Sequence, residues 1–484
     1  MTIERGELFI DGGFVSPSSS SIIEVRSPAD GQLIGSVPEA DLTDLDIAVA
    51  AARRAFDEGP WPRLTMAERA ECLGQLHAEL NGRQAELAAL VTDEVGTPIS
   101  FSTMVQAMVP MMFLDYYVDL GRSYATEELR PGMLGPSIVV REPVGVVGAI
   151  VPWNYPFYLT IAKVAPALLA GCTVVVKPAP ETPLDTYLLA EAAVAVGLPP
   201  GVLNILPAGR EVSEALVGHP GIDKISFTGS TATGKRIMGI CAESVRRVTL
   251  ELGGKSACIL LDDADLDLAV PGAVQAATLN SGQTCVAQTR LLVPRSRHDE
   301  VVDRVVGLFE SMVVGDPKDP STTVGPMVSA RQQERVLGYI EVGEREGAKV
   351  VTGGGVPRGL DGGHFVEPTV FVGVENQMRI AQEEIFGPVL AVIPYDGEDD
   401  AVELANDSIY GLSGAVWSSD TDRGVAVARR IRTGTFAVNG LGMNPAAPFG
   451  GFKQSGIGRE LGPEGLSPYL EYKSISVPAT YTGS

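Results

Sequence analysis

The stretch "TVVVKPAPETPLDTYLLAEAAVAVG", residues 173–197, reads as a strand, a turn and a helix in that order. Three successive valines make a short, wholly apolar, β-branched run, the pattern of a strand buried on both faces. Lys177 closes it, and Pro178, Pro180 and Pro183 deny the next residues a place in a ladder. The Ala- and Leu-rich run that follows has helix-forming composition and stops at Gly197.

The same texture extends outward. "SIVV" (137–140), "GVVGAIV" (145–151) and "DKISFTG" (223–229) are strand-like, while "YLTIAKVAPALLAG" (158–171) and "GREVSEALVGH" (209–219) are helical. Such alternation predicts an α/β fold with a parallel sheet. A second alternation follows residue 255: "SACILL", a helix near 266–281, "TRLLVP", a helix near 297–313, then "AKVVTGG", "EPTVFVG" and "VLAVIPY". Upstream, 44–57 and 66–95 carry helical periodicity. Two successive α/β units predict two lobes and a cleft, and ligands of open parallel sheets sit beyond the strands' carboxyl ends.

With 484 residues the chain is long enough for two or three domains. Its 45% hydrophobic and 20% charged residues are those of an ordinary globular protein. A formal net charge of −23 repels phosphate backbones, so nucleic acid is not expected as a partner. No basic region followed by an apolar run opens the chain, and the longest apolar stretches are short and broken by glycine, so neither signal peptide nor membrane span is expected. Five scattered cysteines without C-x-x-C spacing, and four histidines, argue against a disulfide framework or metal site and suit a reducing cytoplasm.

Several short motifs carry chemistry. In "ISFTGSTATGKRI" (225–237) a strand ends near Phe227, and Gly229-Ser230-Thr231-x-x-Gly234 opens a helix whose free N–H groups suit an anion; a plain tight turn reads the same way. Lys177 stands at the ligand-facing edge of its sheet, where a merely solvated lysine is equally common. Glu251, in "VTLELGGKSACILL" (248–261), lies between leucines, where partial desolvation raises a carboxyl toward general-base range; an ion-paired glutamate is the commoner case. Asn154, in "VPWNYPF" (151–157), offers an amide to a developing oxyanion or simply forms a turn. Cys285, in "LNSGQTCVAQTR" (279–290), is a nucleophile or an inert packing residue. "QEEIFGPVL" (382–390) and "NGLGMNPAAPFGGFKQSGIGRE" (439–460) have the Gly/Pro-rich texture of a shaped cleft wall.

Taken together and in this order, the motifs resemble the aldehyde dehydrogenase superfamily, from "FIDGGFVSP" to "GIGRELGPEGL". "PWNYPF", "FTGST", "LELGGKS", "GQTC", "EEIFGPV" and "PFGGFKQSGIGRE" carry the resemblance, as does the spacing from Glu251 to Cys285. It implies a Rossmann-like cofactor domain (1–121 and 142–252), an α/β catalytic domain (253–453) and a small β oligomerisation element (122–141 and 469–484). "YLEYKSISV" (469–477) is then a strand completing a neighbour's sheet, in a homodimer or homotetramer.

The resemblance also implies roles. Cys285 is the nucleophile that forms a hemithioacetal and then a thioester, and Asn154 with the Cys285 N–H holds the oxyanion. Glu251 activates the hydrolytic water, and Lys163 takes part in proton relay. Family members that acylate coenzyme A usually lack the glutamate, so its presence favours hydrolysis to the acid. Ile150, Val151, Pro152, Trp153, Lys177, Gly209, Phe227, Gly229, Ser230 and Leu252 match nucleotide-site positions, and Glu384 and Phe386 match those at the nicotinamide ribose. Tyr155, Tyr158, Thr284, Val286 and Met443 match the substrate pocket. None is cationic, so an uncharged aliphatic or aromatic aldehyde is expected over one carrying a carboxylate.

One departure concerns the cofactor. NAD-preferring members often carry a glutamate three residues after the strand-end lysine; here that position is Pro180, and Glu181 follows. NAD is expected, with measurable use of NADP. A cofactor-independent cysteine hydrolase would need a histidine that the motifs do not supply. A non-catalytic binding relative would usually have lost Cys285 or Glu251.

Overall fold

A computed structural model describes residues 2–481. Its first large sheet has eight strands. Arg247–Glu251, Lys224–Thr228, Val146–Ile150, Thr173–Lys177 and Leu203–Ile205 run parallel in that spatial order. Two antiparallel edges flank them: Gly456–Ile457 beside Arg247–Glu251, and Leu8–Ile10 with Gly13–Val15 beside Leu203–Ile205. From Val146–Ile150 the chain winds one way through Thr173–Lys177 to Leu203–Ile205, then returns to fill the other side with Lys224–Thr228. The winding therefore reverses between Val146–Ile150 and Lys224–Thr228, and a crevice opens beyond their carboxyl ends.

The second sheet has seven strands, in the order Lys349–Thr352, Thr369–Val372, Val389–Tyr395, Arg290–Pro294, Ala257–Leu260, Gly414–Trp417 and Ala437–Val438. All pair in parallel except Lys349–Thr352, which is antiparallel to Thr369–Val372. Central strands of both sheets are buried on both faces, as their unbroken β-branched runs require. Helix Pro156–Ala170 is sheathed almost completely in the first lobe; proline opens it without losing a needed donor, and Gly171 ends it at φ 99°.

Two expectations are corrected in detail. "SIVV" belongs to strand Ser137–Pro143, which is not part of the parallel sheet: it is the middle of a three-stranded antiparallel sheet between Glu127–Arg130 and Leu470–Ser476. An apolar run of three cannot tell the two sheet types apart. "YLEYKSISV" forms strand Leu470–Ser476, which pairs with Ser137–Pro143 of its own chain and is the edge of that sheet, its other side unpaired among the described residues. The helix expected near 266–281 ends at Thr278, and Leu279–Gly282 forms a tight turn instead. Residues 482–484 of the expected oligomerisation element lie outside the described residues.

Candidate active site

Cys285 follows a turn that no ordinary sequence holds. Asn280, Ser281 and Gly282 are all left-handed, at φ 50°, 57° and 74°. For the two non-glycine residues that conformation costs about 1 kcal/mol or more each. Side chains fix it: Asn280 Oδ1 accepts from Thr97 Oγ1 (2.7 Å), and Ser281 Oγ accepts from the Gly325 N–H (2.9 Å). A Cβ on Gly282 would lie 2.1 Å from the Gly387 carbonyl oxygen, so only glycine fits. Gln283 spans the next strut, donating to the Pro326 carbonyl (3.3 Å) and accepting from the Val328 N–H (3.0 Å).

This turn is tied directly to Asn154. The Asn280 and Gln106 amides both donate to the Asn154 carbonyl (2.9 Å each), and Asn154 Nδ2 donates to the Gln283 carbonyl (3.0 Å). One Asn154 N–H is thus used to orient the amide on the turn that leads into Cys285, and the other has no partner among the described residues. Cys285 itself is half-buried. Burial, then the charges of Glu384 and Glu251, push its thiol above the ordinary range, and the backbone N–H groups of Val286 and Cys285 oppose them.

Glu251 ends the strand beside Gly456 and Thr228. Its carboxyl is buried, and neither oxygen has a hydrogen-bond partner among the described residues. A Cβ on Gly450 would come within 2.7 Å of Oε1, so that glycine keeps the space around the carboxyl open. Burial and then Glu460 raise its pKa well above the carboxylate range; Lys163 and Arg459 oppose. Behind it, the buried Lys163 ammonium donates to Thr228 Oγ1 (2.7 Å) and is ion-paired with buried Glu460. Sequence reasoning missed Glu460. The signal was there: Glu460-Leu461-Gly462 repeats the Glu251-Leu252-Gly253 triplet, a carboxyl beside leucine entering a glycine turn. Thr228, Gln106, Asn280 and Gln283 were also missed, and nothing local in the sequence marks them.

The crevice of the first sheet is a cavity of about 490 Å³. Ile150, Val151, Pro152, Trp153, Lys177, Gly209, Phe227 and Gly229 all line it. The other expected nucleotide residues lie around it. Ser230 caps helix Thr231–Ala242 through the Thr233 N–H, and Leu252 packs under Gly234 of that helix. Glu384 Oε1 accepts from the Gly254 N–H (3.0 Å), and Phe386 meets the Trp153 ring edge-on at 5.4 Å. Burial raises the Glu384 carboxyl to about 7.

The residues fit an elongated nucleotide. Lys177 is 6% exposed as a residue and lines the cavity, and its ammonium has no ion pair or hydrogen bond among the described residues. Burial lowers it to about 8, with Glu181 opposing. Gly229 could not carry a side chain, since a Cβ would press on the Phe227 ring at 2.5 Å. On the far side of the thiol, Tyr155 and Thr284 share a hydroxyl hydrogen bond (2.7 Å), Tyr158 donates to Met443 Sδ (3.5 Å) and packs edge-on to Phe113 at 4.8 Å, and Val286 is half-buried. The wall there is aromatic and apolar.

A nucleotide crevice in one doubly wound lobe, facing a half-buried thiol held by the other, defines a two-lobed α/β enzyme with a cysteine at the meeting point. The chain belongs to the aldehyde dehydrogenase family, whose model matches residues 14–475. It is 48% identical to geranial dehydrogenase of Castellaniella defragrans over 98% of this chain and 99% of that one. The structure of a Mycobacterium tuberculosis aldehyde dehydrogenase complexed with NAD+ superposes with a TM-score of 0.99 at 49% identity, covering 100% of both chains. That of a cysteine-to-alanine mutant of aldehyde dehydrogenase C from Pseudomonas syringae, complexed with NAD+ and octanal, gives 0.94 at 43% identity, covering 97% of this chain and 96% of that one.

Proposed function

We propose that the protein oxidises an uncharged aldehyde to its carboxylic acid with NAD, and that Cys285, Asn154, Glu251 and Lys163 carry the reaction. The observation that supports this most is that the Asn154 amide is bonded to the turn carrying Cys285, with a buried Glu251 carboxyl unpartnered among the described residues and close enough to act on the thiol.

The Cys285 thiolate adds to the carbonyl carbon, and the carbonyl oxygen becomes an oxyanion. The free Asn154 N–H and the Cys285 backbone N–H stabilise it, an effect worth about 3 kcal/mol for one well-placed donor. A bound nicotinamide supplies the hydride acceptor that converts the hemithioacetal to a thioester on Sγ. Glu251 then removes a proton from water, the water oxygen attacks the thioester carbon, and the C–S bond breaks to release the acid. The Lys163–Glu460 pair stands behind Glu251 to pass that proton onward. Lys177, the Gly229 turn and the Ser230-capped helix hold the nucleotide; Glu384 and Phe386 hold its reacting end.

Tyr155, Tyr158, Thr284, Val286 and Met443 receive the aldehyde, and their apolar character supports an aliphatic or aromatic substrate. The octanal and geranial of the relatives' names are of that class. Domain divisions are proposed at 121/142, 252/253 and 453; the passage of the chain from strand Arg247–Glu251 in one large sheet to Ala257–Leu260 in the other supports the second of these. The small antiparallel sheet and its exposed hairpin tip, where Met133 and Leu134 are almost fully exposed, support assembly as a homodimer or homotetramer. No helix among the described residues is long and apolar enough to cross a membrane, and five unpaired cysteines support a reducing cytoplasm. Reduced-cofactor absorbance on mixing protein, NAD and octanal tests the reading, and silence across an aldehyde panel with both nicotinamide cofactors overturns it.

A further inference from the structure

We propose that Glu181 and Arg331 together set the choice between nicotinamide cofactors with and without a 2′-phosphate: Glu181 binds the free hydroxyl, and Arg331 screens that carboxylate and receives the phosphate. The assignment rests on the cofactor reading above. Pro180 has neither a carboxylate nor an N–H to offer. Glu181, one residue on, lines the same cavity as Lys177, and its charge is felt by that ammonium. The backbone after Lys177 therefore delivers a carboxylate from a position shifted by one.

Arg331 comes from the opposite lobe, in helix Ala330–Arg345, and also lines the cavity. Its guanidinium stands 4.0 Å from Glu181 Oε1, with side chains 86% and 29% exposed respectively. An exposed pair at that separation is weak, so Arg331 leaves Glu181 at little cost. Arg236, also in the cavity, is already ion-paired with Glu214, and Arg210 lies on the rim.

The chemistry follows from these placements. A ribose 2′-hydroxyl donates to the Glu181 carboxylate and accepts from Lys177. A 2′-phosphate meets like charge at Glu181 but finds a guanidinium able to bind two of its oxygens. The two side chains pull in opposite directions, and the outcome is a modest NAD preference rather than exclusion of NADP.

The test is calorimetric binding of 5′-AMP and of adenosine 2′,5′-bisphosphate to the full chain, with kcat/KM for NAD and NADP measured alongside. In Glu181→Gln, the affinity ratio of bisphosphate to AMP rises at least tenfold. In Arg331→Ala it falls at least fivefold, because the phosphate loses a partner and Glu181 loses its screen. Both positions are partly or fully exposed, so both variants fold. A ratio within twofold of wild type in both variants overturns the assignment, as does a ratio that responds only to Arg210→Ala. Wild-type protein that binds neither nucleotide overturns the cofactor reading itself, and the assignment with it.

Discussion

Cys285 is surrounded by groups that disfavour its ionisation: a buried environment and two carboxyls, Glu384 and Glu251. Removing a carboxylate that faces a thiol removes like-charge repulsion, so the thiolate forms at lower pH. Alkylation of Cys285 by iodoacetamide, followed against pH, should therefore shift toward lower pH in Glu251→Gln and in Glu384→Gln. An unmoved profile would show that the carboxyls do not face the sulfur. Cys285→Ala should abolish turnover while NAD still binds by calorimetry. Glu251→Gln should give one equivalent of reduced cofactor in a burst, then turnover slowed about 100-fold, the lower range for loss of a general base. With the Glu251 carboxyl raised above its ordinary range, turnover in wild type should decline as pH falls, beginning well above the roughly 4.3 of a free glutamate. Thiol, amide and carboxyl were readable because each sits in a short local motif. Glu460, Gln106 and Asn280 were not, because their roles come from contacts far along the chain: Glu460 to Lys163, Gln106 to Asn154, Asn280 to Thr97 and Asn154.

The Leu279–Gly282 turn shows what an element can hide. Its residues look like the tail of a helix, and periodicity extends the helix through it. The backbone departs at Thr278 because Asn280 and Ser281 find partners on other segments that outweigh the local cost. Gly282→Ala should destabilise the protein by about 3 kcal/mol, since it adds both left-handed strain and a backbone overlap. It should also slow Cys285 alkylation, because the sulfur follows the turn; a wild-type melting temperature and thiol reactivity would refute the account. Strands behaved differently. Fully apolar β-branched runs disclosed the two parallel cores, whereas Ser137–Pro143, half-buried and antiparallel, was indistinguishable from them by composition.

At the scale of the whole molecule, two lobes and a cleft were legible because alternating strands and helices permit few topologies. The three-stranded sheet was not, since the pairing of Leu470–Ser476 with Ser137–Pro143 joins segments more than 300 residues apart. If the Met133–Leu134 tip buries against a second copy, then Met133→Asp with Leu134→Asp should shift the sedimenting species to a smaller mass; unchanged sedimentation would place the interface elsewhere. The eight-stranded sheet takes its two edges from opposite regions of the sequence, Leu8–Val15 at one side and Gly456–Ile457 at the other. During synthesis, then, the Glu251 strand waits with an open edge until residues beyond 455 emerge, and Glu460 arrives with them. Some 170 residues of elongation separate Cys285 from the strand that closes the Glu251 edge, and such long-separated pairing folds slowly.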